Sequence, residues 1–234
     1  MQTPSTLDQE LRKGRERLFP PLTDPNWLIL SARRRIFEIW LSQIPFTEMQ
    51  VLDIGGRIQP YRPLISDRTC RYVALDLRSA PLVDLIAHGE QLPFADAGFD
   101  LVICTQVLEY VAQPARLVDE IHRVLKPAGV LLLSAPSACL QDGGEECWRF
   151  LPAGLRRLFG KFARVQIAAE GSSVAGFFRT MNACLEVFAR YPLMRAWYRH
   201  TLCPVMNLAG AFFEKISGQR NQQFTANYSV LAEK

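Results

Sequence analysis

MQVLDIGG, residues 49–56, is an apolar run of strand length that ends in an acid and two glycines. It is apolar on both faces, which suits a strand buried in a parallel sheet. Asp53 stands at its end, and Gly55 and Gly56 let the backbone turn sharply and approach a ligand closely. In an open α/β sheet, ligands bind beyond the carboxyl ends of the strands, near the switch point beside the first strand. Alone the pattern is ambiguous, because a tight turn with a helix-capping acid looks the same.

Four more runs of strand length follow: RYVALDL (71–77), VDLIAH (83–88), FDLVICT (99–105) and GVLLLSAP (129–136). Asp76 ends the second, where an acid can accept hydrogen bonds from both hydroxyls of a ribose. Between the fourth and fifth runs, PARLVDEIHRVLK (114–126) carries Leu117, Ile121, Val124 and Leu125 as a helical stripe, with Pro114 suited to a first helical position. Strands alternating with helices predict βαβ units with right-handed crossovers. Pro60-Tyr61-Arg62-Pro63 shortens the first crossover helix. Upstream, Trp27, Leu30, Phe37, Leu41 and Ile44 predict a helix over 25–44, with Arg33 to Arg35 pointing mostly elsewhere. Downstream come a helix near 152–160, strands near 163–169 and 224–234, and between those strands an apolar helical insert broken by Pro192 and Pro204.

The expected architecture is α/β: a Rossmann-like, seven-stranded, mostly parallel sheet with helices on both faces and a helical insert before the last strand. Residues 1–23, polar and proline-dotted, read as a flexible arm. Residues 24–234 read as one domain with a cap insert at 172–220. The 234 residues, 49% of them apolar, suffice for one such domain and not for two.

Charge is concentrated. The insert holds six basic residues (Arg179, Arg190, Arg195, Arg199, Lys215, Arg220) against Glu186 and Glu214, an excess equal to the chain's whole formal +4. A neutral domain with one basic segment argues against nucleic acid as a partner. The six cysteines form no CxxC pair and do not combine with the three histidines at metal-ligand spacing, so no metal is expected. They read as reduced packing residues of a cytoplasmic protein. The N-terminus lacks the pattern of a signal peptide, and the uncharged run Thr201–Phe213 is too short to span a bilayer.

The order and spacing of VLDIGG, YVALDL, EQLPFADAGFDLVICTQVLEYV and EIHRVLKPAGVLLLSAP, over residues 49–136, resemble the methyltransferase-11 group of bacterial class I methyltransferases. The resemblance implies S-adenosyl-L-methionine as cofactor. It places Asp53, Ile54, Gly55 and Gly56 along the methionine part, Asp76 on the ribose and Leu77 on the adenine. His88, Gly89 and Glu90 fall around the adenine edge, and Cys104, Thr105 and Gln106 close the pocket near the sulfonium. The chain departs from that group's glycine-rich loop, having Arg57 and Gln59 where glycines are usual. Either residue could narrow the pocket, and Arg57 could instead reach the cofactor carboxylate. His88 stands where an acid is common.

Methyl transfer from a sulfonium needs alignment more than an elaborate catalytic group. A base is required only where the acceptor must lose a proton. Glu109, Asp142 and Glu145 are the candidates for that role, and Trp148-Arg149-Phe150 resembles an element of the same group. His122, mid-helix, reads as a surface or packing residue. The expected acceptor is a small molecule, a saccharide or a lipid-linked group, methylated on oxygen; the alternative is a non-catalytic cofactor-binding or interaction module. In the insert, Val174, Phe177, Phe178, Met181, Leu185 and Phe188 form one stripe, and Val205, Leu208, Phe212 and Ile216 another. They are either a cap packed on the domain or a surface making peripheral contact with the inner face of a membrane.

Overall fold

The computed structural model describes residues 5–139, 144–186, 191–217 and 221–234. Seven strands form one sheet in the order β3-β2-β1-β4-β5-β7-β6. They are β1 (Met49–Ile54), β2 (Thr69–Asp76), β3 (Leu85–Ile86), β4 (Phe99–Thr105), β5 (Leu125–Pro136), β6 (Arg164–Ala169) and β7 (Asn227–Glu233). β1 pairs in parallel with both β2 and β4. The chain therefore runs outward from β1 in both directions, and the switch point lies between β1 and β4. Only β7 is antiparallel, inserted between β5 and β6. The expected doubly wound sheet is present.

Helices cover both faces. α3 (Pro114–Val124) buries Leu117, Val118, Ile121 and Val124 on one face, joined by Leu155 of α4 (Pro152–Leu158). On the other, α2 (Trp27–Gln43) packs Phe37, Trp40 and Leu41 against Val51, Leu101, Ile103 and Leu132. The other half of α2 continues past the sheet, and Leu28 and Ile29 meet Ala175 of α5 (Ser173–Glu186). The insert continues with α6 (Pro192–Trp197), a π-helical turn at Tyr198–Leu202 and α7 (Cys203–Ser217). Pro192 opens α6, and Pro204 falls in the first turn of α7, where neither needs an N–H donor.

Three local readings are corrected. Residues 1–23 are not simply an arm: α1 spans Thr6–Leu18 and begins with a capping box between Ser5 and Asp8. Its apolar residues are few, but Gly14 lets it lie against the Ile58 carbonyl, where a Cβ would collide. The first crossover contains two three-residue 3-10 turns, Arg62–Leu64 and Ser66–Arg68, as its only helical structure. And Arg33, assigned mostly to the outside of its helix, is 1% exposed.

Candidate active site

The carboxyl ends of β1, β2 and β4 open into a cavity of about 1030 Å³. At the end of β1 the chain turns at Gly55 with φ +78°, a conformation that strains a side chain, and a Cβ there would strike Val107. The Gly55 and Gly56 N–H groups both donate to the Leu75 carbonyl, at 2.7 and 3.2 Å, and so lock the turn against β2.

Of the residues the sequence assigns to the cofactor, Ile54, Gly55, Asp76, Leu77, His88, Gly89, Glu90, Thr105 and Gln106 line the cavity. Asp53, Gly56 and Cys104 do not. Cys104 is fully buried beneath β4, and burial pushes its thiol up. Asp53 lies under the turn and accepts the Tyr72 hydroxyl at 2.6 Å. Burial raises its carboxyl to about 7, with the Tyr72 hydrogen bond opposing and Asp76 adding to the rise. Gln59 is also absent from the cavity wall: it is buried, donating to the Leu82 carbonyl at 2.6 Å and accepting from Arg62 at 2.8 Å. Arg57 does line the cavity.

Three features of the cavity bear on the cofactor. Asp76 accepts the Arg78 N–H on Oδ1 at 2.9 Å, and Oδ2 has no partner among the described residues, free for a hydroxyl donor. Gly89 touches Leu117 so closely that a Cβ would sit 2.8 Å from it, so the wall beside His88 is drawn back to backbone. An open carboxylate, an exposed apolar Leu77 and a receding wall fit a ribose and an adenine.

Beyond Gln106 the wall changes character. Glu109 is 1% exposed. Its Oε2 has no partner, and burial pushes the carboxyl up to about 7 while the Arg33 charge pulls the other way. Its backbone carbonyl accepts N–H bonds from Cys147 and Trp148, which hold that stretch against the site. Glu145 is exposed and pairs with Arg78 at 3.5 Å. Asp142 lies outside the described residues. His122 stacks edge-on against Phe162 at 5.1 Å, away from the cavity, as a packing residue.

The rest of this wall was not foreseen. α2 contributes Asn26, Ile29, Leu30 and Arg33, one face at helical spacing. α1 contributes Arg17, one turn beyond Gly14, and α5 contributes Arg179. Arg33 is anchored behind the wall by Glu170 at 2.9 Å, whose other oxygen accepts the Ser134 and Ser229 hydroxyls at 2.6 and 2.7 Å. The signal for Arg33 was available: it falls on the same stripe as Ile29 and Leu30, so its charge had to be buried and paired.

Residues 52–133 match the family described as the methyltransferase domain. The match runs from within β1 to within β5. A protein of Mycobacterium tuberculosis named an uncharacterized methyltransferase is 28% identical over 200 residues, covering 73% of this chain and 77% of its own. Among solved structures, a SAM-dependent methyltransferase from Archaeoglobus fulgidus superposes with a TM-score of 0.52 at 14% identity, covering 86% of this chain and 94% of that one. The cyclase SpnF does so with a TM-score of 0.54 at 18% identity, over 86% and 80%. This methyltransferase has its cavity at the β1–β4 switch point, where the fold presents ligand-facing residues.

Proposed function

We propose that the methyltransferase methylates a hydroxyl of a small-molecule, saccharide or lipid-linked acceptor, with Glu109 taking the hydroxyl proton. The observation that carries this reading is the state of Glu109: on the cavity wall, almost fully buried, unpartnered at Oε2 and raised to about 7. A carboxyl at that value is near half ionised at neutral pH, suited both to accept a proton and to release it.

When bound, S-adenosylmethionine supplies the methyl group as an electrophile and leaves as S-adenosylhomocysteine, its sulfur keeping the bonding electron pair. In this reading Asp76 takes the ribose hydroxyls, Leu77 covers the adenine, and His88, Gly89 and Glu90 border its edge. Ile54 and Gly55 follow the methionine part, Arg57 its carboxylate, and Thr105 and Gln106 the region of the sulfur. Asp53, Gly56 and Cys104 hold that surface in place from behind. The acceptor occupies the wall of α1, α2 and α5, where alignment supplies most of the acceleration.

A second reading, a cofactor-binding module that does not methylate, draws on the cyclase, a protein of the same fold titled for another reaction. Calorimetry with S-adenosylmethionine and S-adenosylhomocysteine tests the cofactor assignment. Both should bind, and Asp76→Ala should weaken both by roughly tenfold to a hundredfold through loss of charge-assisted hydrogen bonds. No binding at millimolar cofactor refutes the enzymatic reading, and binding without product from any acceptor favours the module.

We also propose that α6 and α7 rest on an anionic membrane. Leu193 and Trp197 of α6 are 88% and 61% exposed, and Val205, Leu208, Phe212 and Ile216 form an exposed stripe on α7. Arg195, Arg199 and Lys215 are exposed on the same stretch. The opposite face of α7 buries Cys203, Asn207 and Gly210 against the domain. The stripe that reads as a cap therefore faces outward, an amphipathic pairing of apolar and basic groups. No helix among the described residues is long and apolar enough to cross a membrane.

A further inference from the structure

Three arginines from three helices converge on the acceptor wall: Arg17 of α1, Arg33 of α2 and Arg179 of α5. Among the described residues, only Arg33 has a counter-ion there, Glu170. Arg179 is held by one hydrogen bond, from Nε to the Asn26 side-chain oxygen at 3.1 Å, and its Nη1 is buried with no partner. Arg17 has no ion pair and no side-chain hydrogen bond among the described residues. Arg33 adds an unpartnered buried Nη1 beside Tyr61.

The carboxylates around the same cavity do not answer this charge. Glu145 pairs with Arg78 and Glu146 with Arg149. Glu90 accepts the Gln113 N–H, and Asp76 belongs to the ribose position. Glu109, a cavity-lining carboxyl within the field of Arg33, is raised toward its neutral form by burial.

We propose that the acceptor carries a phosphoryl group, and that Arg17 and Arg179 clamp it while the hydroxyl to be methylated faces Glu109. The inference rests on the methyltransferase reading of this cavity and narrows its substrate class. Two guanidinium groups without counter-ions match the charge of a phosphate monoester, and each presents a fork of N–H donors suited to its oxygens. Buried donors left unpaired are costly, so a ligand that fills them gains what the empty wall lacks. The Arg17 guanidinium is pulled below its ordinary value by burial and then by the Arg33 charge, which Tyr61, Glu170 and Asp24 oppose without reversing, and that is the condition an anion relieves. The alternation along α2 serves the same end: Ile29 and Leu30 stand between Asn26 and Arg33, an apolar floor between two polar ends of the wall. The phosphoryl group could belong to a soluble sugar or polyol phosphate or to a lipid headgroup; the wall recognises what they share.

Calorimetry on the full chain saturated with S-adenosylhomocysteine tests this with glycerol 3-phosphate, dihexanoyl phosphatidic acid and succinate. Glycerol 3-phosphate or the short-chain lipid should bind, and succinate should bind far more weakly. A preference for glycerol 3-phosphate identifies a soluble acceptor class, and a preference for the lipid a membrane-borne one; either supports the clamp. Arg17→Met and Arg179→Met should each weaken the phosphate probe by roughly tenfold to a hundredfold, the loss of one charge-assisted contact. Both variants should keep wild-type S-adenosylhomocysteine affinity and thermal stability, which shows that they fold. Arg179→Lys should recover part of the loss. If S-adenosylhomocysteine binds but no phosphate probe does, or the probes bind equally well to both Met variants, the clamp is refuted and the methyltransferase reading stands. If succinate binds as tightly as the phosphates, the assignment to phosphoryl is refuted. If S-adenosylhomocysteine itself fails to bind, it is the methyltransferase reading that fails.

Discussion

Glu170→Gln removes one charge and almost no volume from the support behind the cavity. In the wild-type protein, one Glu170 oxygen accepts Nε and Nη2 of Arg33, both at 2.9 Å, and the other accepts the Ser134 and Ser229 hydroxyls. Both charged side chains are at most 1% exposed. Burial works against the Arg33 charge, yet Glu170 and Tyr61 together more than offset it and raise its pKa, so the guanidinium keeps its charge. The amide leaves a buried guanidinium without its counter-ion and places an NH2 among donors. Breaking a buried pair on one side costs about 3–5 kcal/mol. For a chain of this length each kcal/mol moves Tm by about 2–4 °C, so scanning calorimetry should find a drop of roughly 6–20 °C. Replacing both partners, Arg33→Met with Glu170→Leu, should recover most of that loss, because the uncompensated charge leaves with its partner. A Tm change under about 2 °C for Glu170→Gln would refute the view that this pair holds α2 to the sheet.

Asp53 and Glu109, both raised to about 7, give the protein a pH signature. Each binds its proton more tightly when folded than unfolded, so its contribution is full below about pH 4 and is lost as pH rises to about 7. Stability should fall across that window by up to about 3–4 kcal/mol per group, and Glu109→Gln should flatten the slope in denaturation series at stepped pH; an unchanged slope would return Glu109 to an ordinary carboxylate. Where an acceptor is in hand, turnover should rise with pH through about 7 and lose that limb in Glu109→Gln. For the membrane surface, the protein should float with phosphatidylglycerol vesicles at low salt and detach at high salt, since each basic residue near the surface contributes about 1 kcal/mol that salt screens. Indifference to vesicles at both salt levels would make α6 and α7 an ordinary cap.

The sheet was legible because each buried strand leaves its own mark. VLDI and LVIC are apolar on both faces, and the acids and glycines that follow mark where the strands end. α3 announced itself through Leu117, Ile121 and Val124. Elsewhere the deciding partner is far away in sequence. α1 looks like a polar arm because its fit depends on Gly14 meeting Ile58; only Ser5 and Asp8 gave a local sign of the helix. Gln59 sits at a glycine position yet turns away from the cavity toward Leu82, taking φ +42° to do so. Cys104 has the right place in the chain, but side chains alternate along a strand and its own points into the core. The arginine wall joins residues 17, 33 and 179, a grouping that no window of sequence contains.

The position of β7 bears on how the chain is made. It comes after the other six strands of the sheet in chain order, yet it is an interior strand, bonded to β5 on one side and β6 on the other. Until residues 227–233 leave the ribosome, β5 and β6 have no partner on those edges, and such unpaired edges are templates for pairing with another chain. The parallel half, β1 to β5, can assemble while translation continues. Antiparallel pairing then lets β7 add to β5 and bring β6 onto the sheet, so residues 227–233 join two separate edges into one continuous sheet.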